Sequence, residues 1–199
     1  VKGDAYLQLN DIIDRCRLGD LKCFEELYKL YYKKAYGTAY IISGQKNTAE
    51  DIVQEVFLIC YKSIKQIRNA QTFNTWFYRI VVRVSSRIIR KQKNSNLESF
   101  SSDFDYHDLS DDDTYNQIEL VSNRLLIRQK IQTLRLPLKT VLILYYYNDM
   151  SVKEIAKVLD CFEGTVKSRL FKAREILKKE LSPYYDVKLK SLVLKESEE

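Results

Sequence analysis

Residues Thr48 to Lys93 carry two amphipathic patterns in series, and few folds accommodate both. In the first, apolar residues fall at Ala49, Ile52, Val53, Val56, Cys60, Ile64 and Ile67. That three-and-four spacing predicts a helix with one buried face. Its other face holds Glu50, Asp51, Gln54 and Glu55, a compact acidic-polar patch. The second pattern begins near Phe73 and turns Trp76, Phe77, Ile80, Val84 and Ile88 inward. Its outer face presents Arg79, Arg83, Arg87 and Arg90, with Lys91 and Lys93 just beyond. On an isolated helix such a row is an ordinary solvated face, so its meaning depends on the rest of the chain.

Glycine and proline are scarce, 5 and 2 in 199 residues. The chain has no Asn-Gly or Asp-Gly hairpin signal and no Gly-rich phosphate loop. Both facts predict an all-α fold. Charge divides it further. Residues 1–93 hold 17 Lys+Arg against 9 Asp+Glu, residues 94–123 hold 8 acids and no base, and residues 124–199 hold 16 basic against 10 acidic residues. Two basic blocks flank an acidic strip, and basic blocks favour polyanionic partners. The expected layout is two small helical domains, 9–93 and 118–182, joined by a flexible acidic linker at 94–117, with a tail at 183–199.

The cysteines, Cys16, Cys23, Cys60 and Cys161, form no C-x-x-C pair, and the only histidine is His107 in the acidic strip. No set of converging metal ligands is visible, and no cofactor is expected. Scattered free thiols suit a reducing cytoplasm. The first residues lack a signal-peptide core, and no apolar run approaches the roughly 20 residues of a membrane span.

Ahead of the key stretch, Asp11 to Leu18 reads as a short helix ending at Gly19. A second helix follows from near Asp20, burying Phe24, Leu27, Tyr28, Tyr31, Ala35 and Ala39. Thr48 is placed to cap the next helix, with Glu50 and Asp51 in its first turn. In the second block, Ile118 to Leu134 reads as a helix. The apolar run Leu138 to Tyr147 is strand-like in composition but long enough for a buried helix. Ser151 and Glu154 form a capping box ahead of Val152, Ile155, Ala156 and Leu159. A break at Asp160 to Gly164 leads to a helix from Thr165 with Val166, Leu170, Ala173, Leu177 and Leu181 inward. Two short amphipathic helices joined by a tight turn make a helix-turn-helix. At about 100° per residue, Ser168, Phe171, Lys172 and Glu175 point outward, flanked by Lys167, Arg169 and Arg174. An outward phenylalanine among cations suits a thymine methyl in a major groove.

Two segments resemble bacterial sigma factors of the extracytoplasmic-function group. Ala49 to Phe57 (AEDIVQEVF) and Phe73 to Ile80 (FNTWFYRI) resemble region 2. Leu136-Pro137, Thr140 to Leu142, Ser151 to Ala156 and Cys161 to Arg174 (CFEGTVKSRLFKAR) resemble region 4. The resemblance implies an alternative sigma factor, a non-catalytic subunit that directs core RNA polymerase to promoters and aids their melting. By position it assigns polymerase contacts to Asp51, Gln54 and Glu55. It assigns −10 contacts to Arg68, Asn69, Gln71, Thr72, Phe73, Arg79, Arg83, Ser86, Arg87 and Arg90. It assigns −35 contacts to Lys167, Ser168, Arg169, Phe171, Lys172 and Arg174. Arg83 and Arg87 depart from the Asn usual and the Asp frequent at those positions, and Phe162 departs from the common Ser, removing an N-cap. The implied partners are the clamp helices of the largest polymerase subunit, the flap of the second-largest, promoter DNA and an anti-sigma factor. The implied location is the cytoplasm, at the nucleoid in holoenzyme or at the membrane when an anti-sigma factor holds the chain there. The linker is either an inert tether or, as the resemblance implies, a strand that threads an electropositive polymerase channel as a mimic of RNA charge. A stand-alone helix-turn-helix regulator would explain residues 138–181 but not Thr48–Lys93. An enzyme finds no nucleophile or metal cluster here, and an adaptor without DNA binding is opposed by Lys167, Ser168, Phe171 and Lys172.

Overall fold

The computed structural model describes residues 2–67, 69–94 and 125–196. Within them the chain forms α1 (Lys2–Leu18), α2 (Leu21–Ser43), α3 (Lys46–Ser63), α4 (Phe73–Asn94), α5 (residues 125–133), α6 (Leu136–Tyr146), α7 (Val152–Leu159) and α8 (Glu163–Glu196). Two 3-10 turns, Ile64–Gln66 and Ala70–Thr72, link α3 to α4. No strand occurs among the described residues. The expected linker lies outside them except for Asn94, as do residues 118–124.

The periodicity of the first block translates directly into burial. Ala49, Ile52, Val53, Val56 and Cys60 of α3 are buried, and Ile64 and Ile67 continue the stripe through the first 3-10 turn. Phe73, Phe77, Val81 and Val84 of α4 pack against it, while Trp76 and Ile88 are half-buried. Burial pushes the Cys60 thiol up to about 12, which leaves it an inert core residue.

Several local expectations are corrected. Helix α1 begins at Lys2 and is much longer than Asp11 to Leu18. Gln45, in extended conformation, starts α3 at Lys46, so Thr48 lies inside the helix and does not cap it. The Thr48 hydroxyl is buried, donates to Gln45 Oε1 at 2.9 Å and accepts from Gln92 Nε2 at 3.0 Å. Glu50 and Asp51 therefore fall beyond the first turn. Tyr28, expected inside, is exposed on α2. Cys16 and Cys23, expected as free thiols, form a disulfide across the α1–α2 turn. Helix α8 continues through Ser182-Pro183, where the tail was expected to begin.

The apolar run LKTVLIL is a helix because it is buried all round. Every residue from Leu138 to Leu144 is buried in α6. Its one cation, Lys139, places Nζ 2.6 Å from Gln132 Oε1 and 3.5 Å from the Ile42 carbonyl oxygen. The capping box of α7 forms as read, with the Ser151 hydroxyl accepting from Glu154 N and the Glu154 carboxylate accepting from Ser151 N.

The two sequence blocks share one continuous hydrophobic core, from Ile12 and Ile13 through α3 and α4 to Val141, Ile155, Val166 and Leu170. Polar contacts reinforce the seam. Thr38 on α2 and Asn148 after α6 are both buried and hydrogen-bonded, with Nδ2 to Oγ1 at 2.9 Å. Gln132 Nε2 donates to the Ile41 carbonyl at 2.8 Å, and the Arg128 guanidinium stacks 3.5 Å from the Tyr40 ring centroid. Gly37 permits this approach, since a Cβ there would lie 2.0 Å from the Tyr147 hydroxyl.

Candidate nucleic-acid interface

Three exposed surfaces follow from these elements. The first is on α3, where Glu50, Asp51 and Gln54 are exposed opposite the buried stripe and Glu55 is partly covered. Glu55 forms an ion pair with Arg87 of α4, so two residues assigned to different partners in sequence meet each other here.

The second surface is α4 and the turn before it. Arg79, Arg83, Arg87 and Arg90 are all exposed on one side, opposite the buried aromatic stripe. Ser86 is half-buried beside them, while Ser85 is buried and donates to the Val81 carbonyl at 2.7 Å. In the preceding turn, Asn69, Gln71 and Thr72 are exposed. The turn is self-bonded: Asn69 Oδ1 accepts from Gln71 N, and the Thr72 N–H and hydroxyl both donate to the Asn69 carbonyl. Arg68 lies outside the described residues. Phe73 does not offer its ring for base contact. It is fully buried, with ring centroids 5.1 Å from Tyr31 and 5.7 Å from Trp76 and Phe77, and anchors the turn from beneath.

Arg79 has a second role that local sequence gave no means of seeing. Its guanidinium donates to the Lys157 carbonyl near the C-terminal end of α7. Cations favour the unsatisfied carbonyls at that end of a helix. A cleft lined by Arg79, Val82, Arg83, Val158, Leu159 and Asp160 follows the same junction. The arginine row thus begins where the other block docks.

The third surface is the start of α8. Lys167, Ser168, Phe171, Lys172 and Glu175 are exposed, and Arg169 is half-buried. Phe171 is 67% exposed and is not packed into a neighbour. Val166, Leu170 and Ala173 on the opposite face are buried. Phe162 precedes the helix at 86% exposure, and its carbonyl accepts from Thr165 N at 2.9 Å and Val166 N at 3.3 Å. Arg174 is braced: its Nε donates to the Tyr146 hydroxyl at 2.9 Å, and its guanidinium lies 5.4 and 5.5 Å from the Tyr145 and Tyr146 rings. Neither tyrosine was singled out in sequence, because nothing local connects α6 to α8.

Among the described residues no group of three or more His, Cys, Asp and Glu could hold a metal ion. None of their helices is long and apolar enough to cross a membrane. His107 lies outside them.

Comparison with known proteins gives this arrangement a context. Family models described as sigma-70 region 2 and sigma-70 region 4 match residues 27–95 and 124–177. The chain is 34% identical over 188 residues to the ECF RNA polymerase sigma-E factor of Haemophilus influenzae, covering 88% of this chain and 97% of that one. The chain belongs to the sigma-70 family, in its extracytoplasmic-function group. It is also 32% identical to the Bacillus subtilis ECF sigma factor SigW, over 85% of this chain and 94% of that protein. Its fold is similar to that of CnrH, solved in complex with the cytosolic domain of CnrY, at TM-score 0.65 and 17% identity over 87% of this chain and 97% of that one. The sigma factor RpoE of Bartonella quintana, solved with the anti-sigma factor NepR, aligns at TM-score 0.65 and 20% identity, over 81% of this chain and 98% of that one. As a sigma factor, the chain directs RNA polymerase to promoters and binds promoter DNA. The α4 arginine row belongs to its region 2 and the start of α8 to its region 4.

Proposed function

We propose a division of labour among the three surfaces. Asp51 and Gln54, with Glu55 at their edge, dock the sigma factor on the clamp helices of core polymerase. Asn69, Gln71 and Thr72, together with Arg68 as the resemblance assigns it, hold an unstacked −10 base, and Arg83, Ser86, Arg87 and Arg90 line the path of the strand. Lys167, Ser168, Phe171 and Lys172 read −35 base edges, while Arg169 and Arg174 hold the DNA backbone. The observation that carries this reading is the exposure of an acidic face on α3, an arginine row on α4 and a basic-aromatic face at the start of α8, each opposite a buried stripe of its own helix. The polymerase performs the chemistry, and this chain supplies binding energy for recognition and strand separation. The protein acts in the cytoplasm, and an anti-sigma factor restrains it.

The packed arrangement is a state from which the chain opens. The two promoter elements lie roughly 25 base pairs apart, or about 85 Å at 3.4 Å per base pair. Regions that share a core cannot reach both. Residues 95–124 between the described segments, at about 3.3 Å per residue when extended, supply about 100 Å of reach. Opening frees Arg79 from Lys157. The acids of residues 94–123 then occupy a cationic polymerase channel.

Charge reversal tests the docking surface. Asp51→Lys should weaken capture of core polymerase while leaving far-ultraviolet circular dichroism unchanged, because Asp51 is exposed opposite the α3 core stripe. Undiminished capture would remove α3 from the polymerase interface.

A further inference from the structure

The Cys16–Cys23 disulfide takes no part in the functions above, yet it sits at a sensitive place. It joins the last turn of α1 to the first turn of α2, with Cα atoms 5.6 Å apart. That separation is ordinary for a disulfide. The intervening turn is fixed independently, by Gly19 at φ +94° and by Asp20, whose side chain accepts from Lys22 N. The turn thus brings the two cysteine Cα positions within the range a disulfide spans. The reduced state is also provided for, because Cys23 Sγ lies 3.1 Å from the Asp20 carbonyl oxygen, an acceptor for its thiol.

The α1–α2 junction is the floor of the turn that precedes α4. Helix α1 packs against both 3-10 turns, and Gly19 faces the Lys65 ammonium. Ile12, Ile13 and Cys16 from α1 share a core with Ile64 and Ile67. Whatever fixes the end of α1 thus bears on the support of the turns Ile64–Gln66 and Ala70–Thr72.

We propose that Cys16 and Cys23 form a reversible redox site, exchanging with low-molecular-weight disulfides, that sets how firmly residues 64–72 are held. Cys16 retains slight exposure at 4% and Cys23 none, so Cys16 reacts first as the end of α1 frays. Its thiolate attacks one sulfur of RS–SR and releases one thiolate, leaving a mixed disulfide. The Cys23 thiolate then attacks the Cys16 sulfur and releases the second. The two protons from the cysteines pass to the two departing thiolates, giving two RSH and one protein disulfide. Oxidation ties α1 to α2 and stiffens the turn. The consequence for promoter capture rests on the reading of Asn69, Gln71 and Thr72 as base contacts.

The test uses the full chain equilibrated with oxidised or reduced glutathione. Peptide mapping should recover a Cys16–Cys23 cross-link after oxidation and two alkylated thiols after reduction. Amides of residues 64–72 should exchange about tenfold or more slowly in the oxidised form. Cys23→Ala and Cys16→Ala/Cys23→Ala chains should exchange like the reduced protein under both conditions. Absence of the cross-link, or equal exchange in both states, would overturn the proposal. In holoenzyme, oxidation should tighten binding of a single-stranded −10 oligonucleotide severalfold, and the double variant should lose that sensitivity. Asn69→Ala and Gln71→Ala form a separate arm. If both leave oligonucleotide binding unchanged while exchange still responds to oxidation, the promoter reading of the turn fails and the redox site stands.

Discussion

At the scale of single residues, two kinds of side chain on α8 should separate. Base-edge contacts discriminate sequence, whereas phosphate contacts mainly position and attract. Phe171 is exposed near the start of the helix and Lys178 lies two turns further along. Phe171→Ala should reorder the preferred −35 sequences, at about 1–3 kcal/mol per lost contact. Lys178→Ala should weaken all promoters alike and reduce the salt slope by about one. A library of −35 variants transcribed by each mutant holoenzyme at two salt concentrations reads both effects; uniform loss from Phe171→Ala would leave α8 an electrostatic anchor only. Tyr78 carries a pH signature of the seam. Burial pushes its phenol up to about 12, against the opposing hydrogen bond from Asn148. The unfolded chain ionises this group near pH 10 while the folded chain does not. Its contribution to stability is therefore complete below about pH 10 and lost as pH rises toward 12. Urea unfolding from pH 8 to pH 11 should show a loss above about pH 10 that is smaller in Tyr78→Phe.

At the scale of elements, faces were more legible than ends. The stripes of α3, α4, α7 and α8 follow from periodicity, because alternating solvent and core leaves a repeat in the residues themselves. Helix starts are legible only where the capping chemistry is local. Ser151 and Glu154 satisfy each other's backbone groups within four residues, and the sequence displays both. Ser151→Ala should cost about 1 kcal/mol, seen as a lower urea midpoint with unchanged slope. Thr48 misled because a hydroxyl that suits a cap also suits a buried helical position with distant partners, here Gln45 and Gln92. The Cys16–Cys23 pairing, the Arg79–Lys157 contact and the Arg174–Tyr146 brace were invisible for the same reason. Each depends on how elements fold back on one another. Phe73 shows the limit for the site itself: the resemblance placed it in a reading loop, and packing against Tyr31, Trp76 and Phe77 made it that loop's anchor.

At the scale of the molecule, one chain carries two exposed basic surfaces, on α4 and α8, and an acidic face on α3, and the two helices share one hydrophobic core in its packed form. Thr38, Asn148, Gln132 and Lys139 satisfy one another and nearby carbonyls inside the seam, which stabilises the closed arrangement without new apolar surface. The most direct measurement is transcription of a random promoter library by core RNA polymerase with and without this chain, alongside footprinting by the chain alone. Transcripts should depend on the chain and come from templates sharing two sequence blocks at a fixed spacing, with little or no protection of the same duplexes without polymerase. Failure to produce chain-dependent transcripts, together with strong protection of a single duplex site by the chain alone, would contradict it.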